Sequence, residues 1–326
     1  MKIPVAVIGV GEHGKRHANA WREIEGAELA GVFDLRPERA EQVARELGIH
    51  AFKSLEETLA AVRAVSVVIP TCDHAAIAAR AFDAGVDVLL EKPITRTVEE
   101  ADTLIAQAAA RGCILQVGHL ERFNPGVVAA QPLTRNPLFF EIHRLGVFSA
   151  RSLDVDVVFD LMIHDLDLVL WLVKAQVSDV RAVGLPVLSD KVDIANARVE
   201  FDNGAVANLT ASRVSTERVR KFRYFQPNEY VSIDFTRRDV LVLSVDRDGA
   251  SPRIAFNKPQ AAPGDPLRAE LEAFLGSVRT RSAPLVGGKE GREALALAER
   301  VMICIEQHAA LVKVPLSRPA GQSGEF

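Results

Sequence analysis

Cysteine is scarce in this chain. Its 326 residues hold only Cys72, Cys113 and Cys304. They show no metal-like or redox spacing, so buried free thiols are expected. No run of about eighteen apolar residues occurs, which argues against a membrane-spanning helix. An apolar strand begins at the third residue and leaves no room for a signal peptide, so a cytoplasmic protein is expected. Positive charge is not in excess either: 39 Lys and Arg face 43 Asp and Glu, a net charge of −4. That balance gives no general attraction to nucleic acid or to an anionic membrane surface, and any phosphate must be met locally. Internal repeats and low-complexity segments are absent. What is present is a globular composition, 48% apolar and 25% charged, at a length that suits two domains.

The clearest motif follows the apolar strand at 3–8. Gly9-Val10-Gly11-Glu12-His13-Gly14 leads into a helical pattern from His17 to Glu25, and the next apolar run ends at Asp34. In this context the glycines allow a tight turn, close approach of backbone to a pyrophosphate, and close packing of helix on strand. The amides at the helix start, around Glu12 and His13, face phosphates where the helix dipole favours negative charge. Asp34 stands twenty positions after Gly14, near the spacing of a ribose-binding acid. Its carboxylate would accept from the ribose hydroxyls and repel a 2′-phosphate, which favours NAD over NADP. Arg36 is the competing signal, because a guanidinium there can hold a 2′-phosphate. The plainer alternative is a tight turn only.

Apolar strands near 3–8, 28–33, 65–69, 86–90 and 113–117 alternate with helical patterns. Pro37 marks one helix start, and Ser54-Leu55-Glu56-Glu57 and Thr97-Val98-Glu99-Glu100 read as capping boxes. Such alternation predicts a doubly wound parallel sheet, an α/β Rossmann domain over 1–120. After a break near 118–126 the pattern changes to β-branched, partly alternating runs at 138–148, 177–187, 192–201, 205–212, 219–225, 230–235 and 240–245. Asn203-Gly204 is a hairpin signal. With helices near 157–174, 267–280 and 290–310, the second domain, 121–318, is expected to be α+β with a large, mainly antiparallel open sheet. It would bind substrate and carry oligomerisation. Residues 319–326 read as a frayed tail.

The segment from Val157 to Trp171 is apolar almost all round, so a helix there should be buried. Yet Asp160, His164 and Asp167 fall at i, i+4 and i+7, on one face. A carboxylate and an imidazole on a buried helix are costly unless paired or used. A solvated helix edge, or a core histidine satisfied by an aspartate, is the structural alternative. His-x-x-His spacing is absent, no serine or cysteine adjoins the histidine, and no metal is expected. Lys92 follows the strand at 86–90, at the carboxyl end where α/β sheets place their ligand crevice. Pro93 stops a helix from starting there. A lysine so placed can stabilise charge on a reacting oxygen; otherwise it is a solvated surface lysine.

These residues together resemble the Gfo/Idh/MocA family of sugar oxidoreductases. The matching motifs are Gly9 to Gly14 with His17, Ile69-Pro70-Thr71 with His74, Glu91-Lys92-Pro93, and Asp160-x-x-x-His164. They lie in both halves of the chain. The resemblance implies that Lys92, Asp160 and His164 are the catalytic lysine, aspartate and histidine. It implies that Pro70, Thr71, His74 and Glu91 belong to the cofactor cleft. Three blocks, 117–125, 160–167 and 220–225, are similar to the family branch of UDP-N-acetylglucosamine 3-dehydrogenases of lipid A diamino-sugar synthesis. This implies substrate contacts from His119, Arg122 and Asn124. Arg220, Lys221 and Arg223 either meet a diphosphate or form a solvated strand face.

The resulting expectation is NAD-dependent oxidation of a secondary hydroxyl on a small-molecule substrate, a nucleotide sugar. His164 is the general base, since imidazole titrates near neutral pH. Asp160 orients it and Lys92 stabilises alkoxide character. The roles of Lys92 and His164 are exchangeable at this level. The rivals are the same chemistry on an inositol or free aldose, and a catalytically silent dinucleotide sensor. An antiparallel sheet with helices on one side leaves a face to bury, so a homodimer or homotetramer is expected.

Overall fold

The computed structural model describes residues 2–148, 155–247, 252–314 and 316. The expected frayed tail at 319–326 lies outside the described residues. The chain divides into two compact units, Met1–Phe123 with Gly264–Ala296, and Asn124–Pro263 with Leu297–Phe326.

In the first unit the elements run β1 (Ile3–Ile8), α1 (Glu12–Glu23), β2 (Ala27–Phe33), α2 (Pro37–Leu47), β3 (His50–Ala51), α3 (Leu55–Ala61), β4 (Ala64–Val67), α4 (His74–Asp83), β5 (Asp87–Glu91), α5 (Val98–Arg111) and β6 (Leu115–Gly118). All sheet pairings are parallel and the strand order is β3-β2-β1-β4-β5-β6. This is the doubly wound Rossmann order, whose reversal beside β1 opens a crevice at the strands' carboxyl ends. Helices cover both faces, which is why β4 and β5 are buried at every position. The capping signals work as written: Ser54 Oγ accepts from Glu57 N at 3.1 Å, and Thr97 Oγ1 from Glu100 N at 3.3 Å. Helix α1 starts five residues earlier than its apolar pattern, within the glycine motif itself. Glycine and polar residues hide a first turn from any hydrophobic period.

The second unit contains α6 (Pro125–Ala130), β7 (Phe139–Leu145), α7 (Ile163–Val173), β8 (Val177–Leu185), β9 (Ile194–Phe201), β10 (Val206–Ser212), β11 (Val219–Gln226), β12 (Glu229–Asp234), β13 (Asp239–Asp246) and β14 (Arg253–Asn257). Eight strands pair in the order β14-β13-β12-β11-β7-β10-β9-β8. Every pairing is antiparallel except β7 with β10. The Asn203-Gly204 turn joins β9 to β10, with Gly204 at φ +83° and Asn203 Oδ1 accepting from Ala205 N.

One assignment from sequence changes. Helix α8 (Pro266–Thr280), placed by sequence in the second domain, packs with the first unit. Its Leu267, Leu271, Phe274, Leu275 and Val278 share one buried cluster with Val5, Val7 and Trp21, and Phe274 meets Trp21 edge-to-face at 6.4 Å. An amphipathic pattern tells which face of a helix is apolar, not which sheet that face covers. The last helix, α9, spans Gly288–Val312.

Candidate active site

A cleft of about 510 Å³ opens at the carboxyl ends of β1, β2 and β4. Gly9 ends β1 at φ +84°, and a Cβ there would lie 2.3 Å from Val68 O. At Gly14 a Cβ would lie 1.8 Å from Gly9 O. Both glycines are demanded by the protein's own packing. Gly11 is different: its φ is −62°, and a Cβ would find nothing nearer than Arg39 Nη1 at 3.9 Å. The fold does not require a glycine there, whereas close approach of a pyrophosphate does. Asp34 accepts Val10 N on Oδ2 and Arg36 N on Oδ1, both at 2.9 Å, which locks the glycine loop to the end of β2. Arg36 lines the cleft, and so does Arg39, 3.6 Å from Asp34 Oδ2, which the sequence reading missed. The donors, the acid and the open Gly11 fit a dinucleotide. Glu12 is exposed at the start of α1, so its contribution to a phosphate site is its backbone amide.

Behind the loop, Glu91 Oε1 lies 3.0 Å from His13 Nε2 and 3.2 Å from His17 Nε2, while Oε2 accepts Lys92 N at 3.2 Å. Burial alone would raise the Glu91 pKa. The His13 and His17 contacts outweigh it and hold the carboxyl well below the usual range. Gly118 leaves room for this group, since a Cβ there would sit 3.0 Å from Glu91 Cδ. Burial lowers the His17 pKa, only partly offset by Glu91, so the ring is neutral near pH 7. Pro70 lines the cleft and Thr71 opens the short turn after it. His74 does not reach the cleft. It is wholly buried, with Nδ1 2.9 Å from Pro93 O and Nε2 3.0 Å from Ile69 O. It braces the end of β4 against the segment carrying Lys92. Burial lowers its pKa too, and a neutral ring donates to only one of those carbonyls.

In the second unit Asp160 lies in a π-helical turn, Val158–Met162, that runs into α7, and His164 is in the first turn of α7. The wider turn interrupts the uniform helix assumed from the i, i+4 spacing. Both residues are partly exposed, whereas Asp167 is buried. The strongest buried charge pair on this helix was not foreseen. Asp165 receives Arg144 Nε and Nη2, each at 2.8 Å, tying α7 to β7. Asp165 stands in sequence beside His164 on a mostly apolar helix, but its partner comes from a strand 21 positions away.

The basic strand also resolves. Cross-strand register places Arg220 opposite Arg144, on the face of the buried Phe222 and Tyr224. Lys221 and Arg223 point to the other face, opposite His143 and Glu141, and Arg223 Nη1 donates to Glu141 Oε2 at 2.8 Å. The three cations cannot act together; the period of two in a strand already separates them.

The substrate candidates are more buried than a ligand-contact reading suggests. His119 is 1% exposed after β6. Arg122, in the short turn Leu120–Phe123, sends Nη1 to Leu285 O at 3.4 Å. Asn124 caps α6 through Oδ1, which accepts Gly126 N at 3.0 Å.

Comparison with known proteins agrees with this architecture. The description "Oxidoreductase family, NAD-binding Rossmann fold" (GFO_IDH_MocA) matches residues 3–119, and the GFO/IDH/MocA C-terminal domain matches 142–225. A UDP-N-acetylglucosamine 3-dehydrogenase of Acidithiobacillus ferrooxidans is 43% identical over 306 residues, 92% of this chain and 96% of that protein. Its solved structure superposes with a TM-score of 0.89 at 41% identity, over 94% of this chain and 99% of that one. A scyllo-inositol 2-dehydrogenase (NAD(+)) of Bacillus subtilis is 32% identical over 66% of this chain and 68% of its own length. A levoglucosan dehydrogenase in complex with NADH and levoglucosan shares the fold, with a TM-score of 0.85 at 20% identity over 94% of this chain and 98% of that one.

Proposed function

Because the chain belongs to the Gfo/Idh/MocA family of oxidoreductases, we propose that it oxidises a secondary hydroxyl of a nucleotide sugar, UDP-N-acetylglucosamine at carbon 3. The observation that carries the substrate is the 43% identity, over nearly the full length of both chains, to a dehydrogenase of that name. Bound in the cleft lined by Gly9, Gly11 and Asp34, NAD supplies the hydride acceptor. His164 takes the hydroxyl proton, Asp160 positions the imidazole, and Lys92 hydrogen-bonds the reacting oxygen as it gains negative charge. In this reading His119, Arg122 and Asn124 act on the sugar from buried positions, and Arg220, on the sheet face shared with Phe222 and Tyr224, is the cation of its strand that would meet a diphosphate.

We further propose that the second unit self-associates through the uncovered face of its sheet. Two rows there are mainly polar. A third, Val206, Phe139, Phe225, Tyr230, Leu243 and Phe256, runs across six strands in register. Phe225 lies 5.6 Å from Phe139 and 4.9 Å from Tyr230 between ring centroids, and Phe256 is 70% exposed. Such an apolar ladder favours a second copy over water. Light scattering is expected to give a homodimer or homotetramer at micromolar concentration; a monomer refutes it. Among the described residues no helix is long and apolar enough to cross a membrane. The substrate is tested by NADH formation with UDP-N-acetylglucosamine, myo-inositol and a free aldose in parallel. Turnover should be confined to the nucleotide sugar. Preference for the inositol would move the assignment to that branch of the family, and NAD binding without turnover of any substrate would favour a sensor.

A further inference from the structure

We propose that His13, His17 and Glu91 form a site for one transition-metal dication of the zinc class, behind the glycine loop. The two histidines are one helical turn apart on α1, a spacing that stacks imidazoles on one face. Glu91 arrives from the end of β5, 78 positions from His13. One donor atom from each residue falls within 4.8 Å of the others. The Glu91 Oε1 distances, 3.0 Å to His13 Nε2 and 3.2 Å to His17 Nε2, match the separation of roughly 3.3 Å between ligands around a tetrahedral zinc with bonds of about 2.0–2.1 Å.

His13 Nε2 hydrogen-bonds Glu91 Oε1, but one member of the cluster is left without a partner. His17 is 0% exposed, and neither ring nitrogen meets hydrogen-bond geometry with any group, despite the short Nε2 contact to Glu91. Buried imidazoles are normally hydrogen-bonded or ligating.

The amide of Lys92 donates to Glu91 Oε2 and orients the carboxylate as an outer partner does. His13, with its side chain 40% exposed, gives the ion a route in from solvent. Two imidazoles and one carboxylate favour zinc, cobalt or nickel; magnesium and calcium prefer all-oxygen sites. The sequence expectation of no metal, drawn from the cysteine spacing and the α7 segment, does not extend to His13 and His17.

The test is calorimetric titration of the intact, chelator-stripped protein with Zn²⁺ and Mg²⁺, with Co²⁺ followed by its visible ligand-field bands. One equivalent of Zn²⁺ should bind, at least tenfold more tightly than Mg²⁺, and Co²⁺ should give tetrahedral-type bands. His17→Ala and His13→Ala should each weaken Zn²⁺ binding by about tenfold or more. His50→Ala, in the exposed His50–Glu57 pair on β3, should leave it unchanged. If His17→Ala fails to fold, the partly exposed His13→Ala decides alone. Substoichiometric Zn²⁺ binding, equal affinity in His13→Ala and the unaltered protein, or equal affinity for Mg²⁺ would each overturn the site.

Discussion

Gly11→Ala and Gly14→Ala separate what the glycine loop does for the fold from what it does for the ligand. At Gly11 the backbone sits at φ −62° and the new methyl meets nothing closer than 3.9 Å. Alanine is sterically compatible there and should change stability by no more than about 1 kcal/mol, because the lost freedom of the unfolded chain favours alanine while the N-cap position of Gly11 on α1 favours glycine. The same methyl would fill open space beside a glycine that lines the cleft, where the glycine motif calls for close approach of a pyrophosphate. NAD affinity should therefore fall about tenfold or more, at least about 1.4 kcal/mol. At Gly14 the methyl would sit 1.8 Å from Gly9 O, so backbone must move by more than an ångström. Overpacking of this kind costs about 1–3 kcal/mol or more. Urea denaturation followed by far-ultraviolet circular dichroism reads stability, and NAD titration by calorimetry reads affinity. A Gly11→Ala protein that binds NAD as tightly as the unaltered one refutes the reasoning about the open cradle. A Gly14→Ala protein of undiminished stability refutes the packing.

The assigned proton chemistry requires that Lys92→Ala and His164→Ala each lower kcat by about 10²-fold or more, with NAD affinity intact in His164→Ala; wild-type turnover in both folded variants would leave the two residues structural. Arg220→Ala should raise KM for a nucleotide sugar, while Lys221→Ala and Arg223→Ala, on the opposite sheet face, should not; the reverse order in steady-state kinetics would place the substrate on the other face. Glu270 sets a pH dependence. Its folded pKa is raised, so the folded state keeps a proton that the unfolded state loses, and stability falls as pH rises from the ordinary carboxylate range toward the folded pKa. The slope approaches about 1.4 kcal/mol per pH unit within that window. Glu270→Gln should flatten this part of the curve, with a stability advantage that grows with pH; parallel denaturation curves for the two proteins at pH 5 and pH 8 would exclude it.

What the sequence determined by itself is the part governed by short-range rules. Backbone dihedrals and steric demands around Gly9 and Gly14, side-chain caps at Ser54 and Thr97, and the period-two alternation of β9 and β10 are local, so the alternating first half and the strand-rich second half could be read directly. Lys92 at a strand's carboxyl end was legible for the same reason. Tertiary structure decided which distant surfaces meet. An apolar stripe on α8 would cover either sheet, and only packing against Trp21 assigns it to the first unit. Arg144 and Asp165, and likewise His13, His17 and Glu91, become partners because a helix and a strand far apart in the chain fold side by side. Buried charge is tolerated only where such partners converge, and that convergence has no signature in the spacing of residues along the chain.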